Sequence, residues 1–122
     1  MKFLLSLLII LVILLMLIIH YAFADDLWKV TAYCSCEKCC GRFSDGYFAS
    51  GRAVYGGGVA CNWLPFGSIV YIEGERFIIE DRGSVKYFGT KEEKRKAIDI
   101  YMPTHQEALE FGVQYKVVSY AN

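Results

Sequence analysis

Gly67-Ser-Ile-Val-Tyr-Ile-Glu-Gly-Glu-Arg-Phe-Ile-Ile-Glu-Asp-Arg-Gly83 carries two apolar, β-branched segments on either side of a short polar connection. Ser68–Ile72 and Arg76–Glu80 have the composition of strands, and Glu73-Gly74-Glu75 between them is a turn signal. The spacing predicts an antiparallel hairpin whose connection holds a bulge or a longer loop. Working outward, the same pattern marks strands at Lys29–Tyr33, Val59–Cys61, Ala97–Met102 and Gln114–Ser119. Gly56-Gly57-Gly58, Leu64-Pro65-Phe66-Gly67 and Arg82-Gly83-Ser84 separate them. One helix is expected, Thr104 to Phe111, because Thr104 and Glu107 have capping-box spacing and Gly112 stands at the C-terminal cap position. Many short strands with one or two short helices predict a mainly β chain folded as a compact six-stranded β-barrel.

The chain begins with a different kind of segment. Lys2 supplies a positive charge, Phe3 to Ile19 is an apolar run of 17 residues interrupted only by Ser6, and Ala22-Phe23-Ala24 is a small-x-small triplet followed by Asp25-Asp26. Charge, apolar stretch and small-residue exit together form an export signal. Residues 1–24 are therefore expected to be a signal peptide and residues 25–122 the working domain. The run is also at the lower limit for a spanning helix, so retention as an anchor through residues 3–19 is the alternative. Either outcome places the domain outside the cytoplasm, secreted or in the cell envelope. Its 98 residues suffice for one core and are expected to act as a monomer. All 13 acidic residues lie in this part against 12 basic ones, which gives no reason to expect nucleic acid as a partner. The abundant aromatics suit a β-rich fold or a sugar-binding face. The lysine-rich stretch from Lys86 to Lys96 reads first as a solvated surface loop and second as a contact to an anionic polymer.

Five cysteines, Cys34, Cys36, Cys39, Cys40 and Cys61, fall in the domain, four of them within seven residues. In a small exported domain the expected state is disulfide bonding, with the odd cysteine free or paired to another molecule. A thiolate zinc site is the second reading, although the C-x-C-x2-C-C spacing crowds its ligands on one loop. Reduced packing thiols are a third. Cys61 with His105 as its base is a fourth, with no orienting third group apparent.

Two aspartates stand out by their surroundings. Asp81 ends the second hairpin strand, and Asp99 lies among aliphatics in Ala97-Ile-Asp-Ile-Tyr-Met102. A carboxyl in such a place is either held by donors or has its neutral form favoured by desolvation. Two of them on neighbouring strands make a candidate acid/base pair of the kind that cleaves glycosides. The plain alternative is that Asp99 caps backbone N–H groups at a turn.

The ordered set Val30-Thr-Ala-Tyr33, Ala49-Ser-Gly51, Val59-Ala-Cys-Asn-Trp-Leu-Pro-Phe-Gly67, Glu80-Asp-Arg-Gly83, Ala97-Ile-Asp-Ile-Tyr101 and Glu107-Ala-Leu-Glu-Phe-Gly112 resembles the three-aspartate (3D) domain family. That family folds as a double-psi β-barrel and is related to membrane-bound lytic transglycosylase A. The Leu-Pro-Phe-Gly and Asp-Arg-Gly pieces also resemble rare lipoprotein A and the expansins. The resemblance implies cleavage of peptidoglycan glycan strands between N-acetylmuramic acid and N-acetylglucosamine, with no metal and no cofactor. It maps the catalytic acid/base onto Asp81 and its supporting carboxylate onto Asp99. Asn62 stands where the family has its first aspartate, and an amide can hydrogen-bond but not ionise. Arg82 replaces a small residue usual in the transglycosylases. Ser50, Trp63, Arg82 and Tyr101 are the implied substrate contacts, with Trp63, Tyr87 and Tyr101 the candidate flat faces for sugar rings, though core packing competes for each. A non-catalytic, expansin-like wall-binding module is the other function that the resemblance leaves open.

Overall fold

The hairpin between Gly67 and Gly83 is tighter than expected. Strand β3 (Ile69–Ile72) runs antiparallel to β4 (Glu75–Asp81), and Ile72 pairs directly with Glu75. Only Glu73 and Gly74 are left to turn the chain, at φ +48° and +82°. Positive φ at both central residues suits a two-residue hairpin, whose twist matches that of the strands. No bulge or longer loop is needed there because Glu73 accepts the left-handed conformation and Gly74 adopts it freely. The structure, a computed structural model, describes residues 1–24 and 27–121. Asp25-Asp26, expected to flank a cleavage point, lie outside the described residues.

The remaining elements follow in chain order. Helix α1 covers Lys2–Ala24, β1 Leu27–Tyr33, and α2 Glu37–Cys40, the last continuing into a 3-10 turn at Gly41–Phe43. Strand β2 is Gly58–Ala60; after the hairpin come α3 (Val85–Phe88), β5 (Ala97–Tyr101), α4 (His105–Phe111) and β6 (Gln114–Tyr120). All six expected strands are present, each within two residues of its predicted bounds. The α4 cap is as predicted: Glu107 N–H donates to the Thr104 side chain, and Thr104 N–H donates to the Glu107 carboxylate. The short helices α2 and α3 carry no apolar period and were not expected.

Strand pairing runs β1-β5-β2-β4-β3-β6 and returns from β6 to β1, so the six-stranded mixed sheet forms a ring of hydrogen bonds. β1 lies parallel to β5 and β2 parallel to β4, while the other four contacts are antiparallel. Alternate residues of each strand point to one side, and these form the core: Trp28 and Val30, Val59, Val70 and Ile72, Phe77 and Ile79, Ile98 and Ile100, and Val118. Val30, Val59, Val70, Ile79 and Ile98 are fully inaccessible to solvent. Each such side chain contributes about 1.5–3 kcal/mol by leaving water. Trp28 stacks on Trp63 with centroids 5.7 Å apart, and both meet Tyr120 edge-on.

One irregularity matters more than the rest. Between β2 and β4, Val59 pairs with Ile79 but Ala60 pairs with Asp81, so Glu80 is an extra residue in β4. A bulge reverses the facing of everything after it. Ile79 points to the core, and Asp81, two residues later, is placed on the opposite face with Ala60.

Helix α1 is apolar on every side, with a mean hydropathy of 3.2 from Lys2 to Ala22 and none of it buried against the domain. Its 23 residues rise about 35 Å, enough by length and composition to cross a bilayer core of about 30 Å. An export signal meets the same criterion.

Gly58 tests the packing at the start of β2. A Cβ there would run into the buried ring of Phe48, which is held edge-on by Tyr55 and Tyr101. Gly58→Ala is expected to destabilise the domain by about 1–3 kcal/mol in chemical denaturation, the usual cost of overpacking. An unchanged midpoint would mean that Phe48 is free to move.

Candidate functional site

The site is built on the face that the bulge creates. Asp99 pairs with Thr31 of β1 on one side and with Ala60 of β2 on the other, and Ala60 in turn pairs with Asp81. The two aspartates therefore flank β2 at one level, about 10 Å apart along the sheet given the strand spacing. Thr31 and Tyr33, two residues apart on β1, face the same way, and each holds one of them. The Thr31 hydroxyl donates to Asp99 Oδ1 at 2.9 Å. The Tyr33 hydroxyl donates to Asp81 Oδ2 at 2.6 Å. The other Asp81 oxygen accepts the backbone N–H groups of Ala49 and Arg82, both at 2.9 Å.

These surroundings treat the two carboxyls differently. Asp81 is fixed by three donors. Asp99, half-buried with one donor, is pushed up to about 6: burial dominates, the Thr31 hydrogen bond opposes it, and the negative charge of Asp81 adds to it. Burial, followed by the Asp81 hydrogen bond, raises the Tyr33 phenol well above its ordinary value, so it remains a donor throughout the physiological range. Asp99 lines a groove of about 200 Å³ with Lys29, Thr31, Tyr87 and Phe88 among its walls. A larger depression of about 450 Å³, bordered by Ile72, Phe77, Tyr101 and Phe111, includes neither aspartate.

The other predicted site residues serve mainly to hold the fold. The Asn62 side chain donates to the carbonyls of Gly83 (3.0 Å) and Gly89 (2.7 Å) and accepts the N–H of Gly83 (2.8 Å). It ties the segment after β2 to both ends of the α3 loop. Arg82 donates to the carbonyls of Cys61 and Leu64 and lies over the Phe66 ring at 3.9 Å. Trp63 packs on Trp28 and donates its indole N–H to Arg95 O, which anchors the lysine-rich loop. Tyr101 is buried, edge-on to Tyr33 and Phe48. Ser50 donates its backbone N–H to the carbonyl of bulge residue Glu80 and accepts from Arg52 N–H through its hydroxyl at 3.5 Å. Tyr87 is exposed beside the groove, with the Lys86 ammonium over its ring at 5.1 Å.

The five cysteines are free thiols, and no disulfide joins them where the sequence favoured one. Cys34 follows β1, Cys36 caps α2 and Cys39 lies within it, and their sulfurs converge on His105 Nδ1. Cys61 is enclosed in the hydrophobic core, so His105 serves the loop cysteines and not Cys61. His105 was legible only as the first residue of α4; its link to a loop some 66 residues earlier has no local signal. No protein-family model matches this chain, and no curated protein was found similar to it in sequence.

Two measurements probe the site. Folding raises the Asp99 pKa from an unfolded value of about 3.9, so its neutral form is the one the fold favours. Its stabilising contribution is complete below about pH 4 and is lost as pH rises through about 6. Asp99→Asn should flatten that slope in denaturation series; Thr31→Val should raise the Asp99 midpoint in carboxyl NMR, and Asp81→Asn should lower it. A midpoint indifferent to both would contradict the described pairings. At position 62, Asp cannot donate to two carbonyls, so Asn62→Asp is expected to cost about 1–3 kcal/mol in thermal or chemical unfolding. A stabilised variant would show that the amide ties are unimportant.

Proposed function

We propose that this chain is a cell-wall enzyme that cleaves peptidoglycan glycan strands in the manner of a lytic transglycosylase, with Asp81 as its acid/base and Asp99 as the supporting carboxyl. The observation that carries this reading is the pair itself. A bulge turns Asp81 onto the face already occupied by Asp99, and two side chains of one strand hold them in different environments. Titratable groups with distinct surroundings at one site are what proton transfer to and from a glycosidic oxygen requires.

In this reading the ring of six strands with two parallel pairs is a double-psi β-barrel of the three-aspartate kind. In its protonated form Asp81 gives a proton to the oxygen between N-acetylmuramic acid and N-acetylglucosamine, and the C–O bond to the muramic carbon breaks. The muramic 6-hydroxyl attacks that carbon, and its proton returns to Asp81. One carboxyl thus serves as acid and then as base, without a cofactor. Asp99, pushed up to about 6 by burial, stays neutral at mildly acidic pH and lines the groove as the supporting carboxyl. Tyr33 orients Asp81, and Tyr87 offers the sugar a flat apolar face. Asn62 enters as the fastening of the loop after Asp81, which explains how an amide can stand in the place of an aspartate. Helix α1, whether removed as a signal or kept as an anchor, delivers the domain to the compartment where the glycan lies.

Digestion of purified peptidoglycan tests this. The wild-type protein should release 1,6-anhydro muropeptides. Asp81→Asn should reduce release by roughly 100-fold or more, the usual contribution of general acid–base catalysis, while pelleting with the wall is retained. Products with reducing ends would indicate hydrolysis instead. Wild-type protein that pellets with intact wall and cuts nothing would support the expansin-like binding module. Loss of cleavage in Asp99→Asn with activity kept in Asp81→Asn would move the donor role to Asp99.

A further inference from the structure

The most concentrated group of ligating atoms in the described chain lies outside the aspartate face. The Sγ atoms of Cys34, Cys36 and Cys39 and the Nδ1 of His105 all lie within 4.8 Å of one another. Nδ1 is 3.4 Å from the sulfurs of Cys36 and Cys39 and 3.7 Å from that of Cys34, and Cys34 and Cys39 are 3.4 Å apart. A tetrahedral zinc site with Zn–S near 2.3 Å and Zn–N near 2.0 Å has ligand-to-ligand edges of about 3.5–3.8 Å. Of these five edges the Cys34–Cys36 one, 2.8 Å, is clearly shorter, and the sixth, between Cys36 and Cys39, lies within 4.8 Å. We propose that these four residues bind one zinc ion in a closed Cys3His site.

The local chain geometry suits that role. Cys36 and Cys39 have the Cys-x2-Cys spacing of a zinc knuckle, and Cys39 N–H donates to Cys36 O at 3.1 Å, closing the turn. Cys34, one residue past β1, approaches from the strand side. His105 comes from the first position of α4, inside the Thr104–Glu107 capping box. The remaining cysteines are committed elsewhere. The Cys40 thiol donates to Cys34 O, and Cys61 lies in the core. Cys34 is buried, Cys36 and His105 are half-buried and Cys39 is exposed, which gives the ion a path in. Three thiolates and one imidazole fill a tetrahedron and leave no position for a substrate, so the ion is structural.

The metal would add a fastening between the loop after β1 and the start of α4. Tyr33 immediately precedes Cys34, and its carbonyl accepts Met102 N–H at 2.7 Å. Closing the site therefore also fixes the strand end that presents the Tyr33 hydroxyl to Asp81. Zinc binding stands independently of the glycan-cleavage reading; only this last link depends on it.

The test uses the full chain, recovered after export without chelators. Metal analysis should give one zinc per chain with all five thiols recovered after denaturation. X-ray absorption at the zinc edge should show three sulfur neighbours and one nitrogen. Replacement by Co(II) should give the ligand-field bands of a tetrahedral thiolate site. His105→Ala and Cys39→Ser should weaken zinc binding by more than the roughly 10- to 100-fold that loss of an outer-shell partner costs, and Cys40→Ser should leave it unchanged. Absence of zinc with these cysteines in disulfides would overturn the proposal. So would a four-sulfur shell, which would exclude His105. Both results come from the unaltered protein and do not depend on any variant folding.

Discussion

The single extra residue in β4 is the constraint on which the site depends. Without the bulge at Glu80, Asp81 would continue the inward alternation of Phe77 and Ile79 and bring a carboxylate toward the core. With it, the core keeps its aliphatic lining and Asp81 moves to the face where Asp99, Thr31 and Tyr33 already lie. The bulged residue is held in turn: Glu80 O accepts the Ser50 N–H, and its carboxylate lies 3.7 Å from Arg52 Nε. The long connection from β1 to β2 thus returns to brace the bulge and supplies Ala49 N–H to Asp81. Packing and site geometry have one origin.

Ring closure has a second consequence. β1 contacts both β5 and β6, so its outward residues can reach groups presented by strands distant in sequence. Thr31 is 68 residues from Asp99 and Tyr33 is 48 from Asp81. The same strand continues into the cysteine loop. A displacement of β1 would disturb both carboxyls and the thiol cluster together.

Much of the fold was legible in the sequence because it rests on local chemistry. Hydrophobic alternation and β-branched content marked every strand, and the Thr104–Glu107 box marked α4. The hairpin turn was less legible because Glu73, not an Asn or Gly, occupies the first left-handed position. Among site residues, the two aspartates stood out by context, and the structure places them on one face. The partners of the carboxyls did not stand out, since Thr31 and Tyr33 look like any strand residues until the register is known. Trp63 and Tyr101, which the family resemblance offered to a sugar, are committed to packing, and Asn62 to fastening a loop. The bulge left no local mark, and His105 could not be joined to the cysteines before tertiary structure brought them together.

Under the proposed function, the Asp81–Asp99 face governs glycan cleavage through proton transfer. The pH dependence of 1,6-anhydro muropeptide release from purified peptidoglycan tests this most directly. Release is expected to decline as pH rises through about 6, with that limb displaced upward by Thr31→Val and removed by Asp99→Asn. A profile unchanged by either substitution would contradict it.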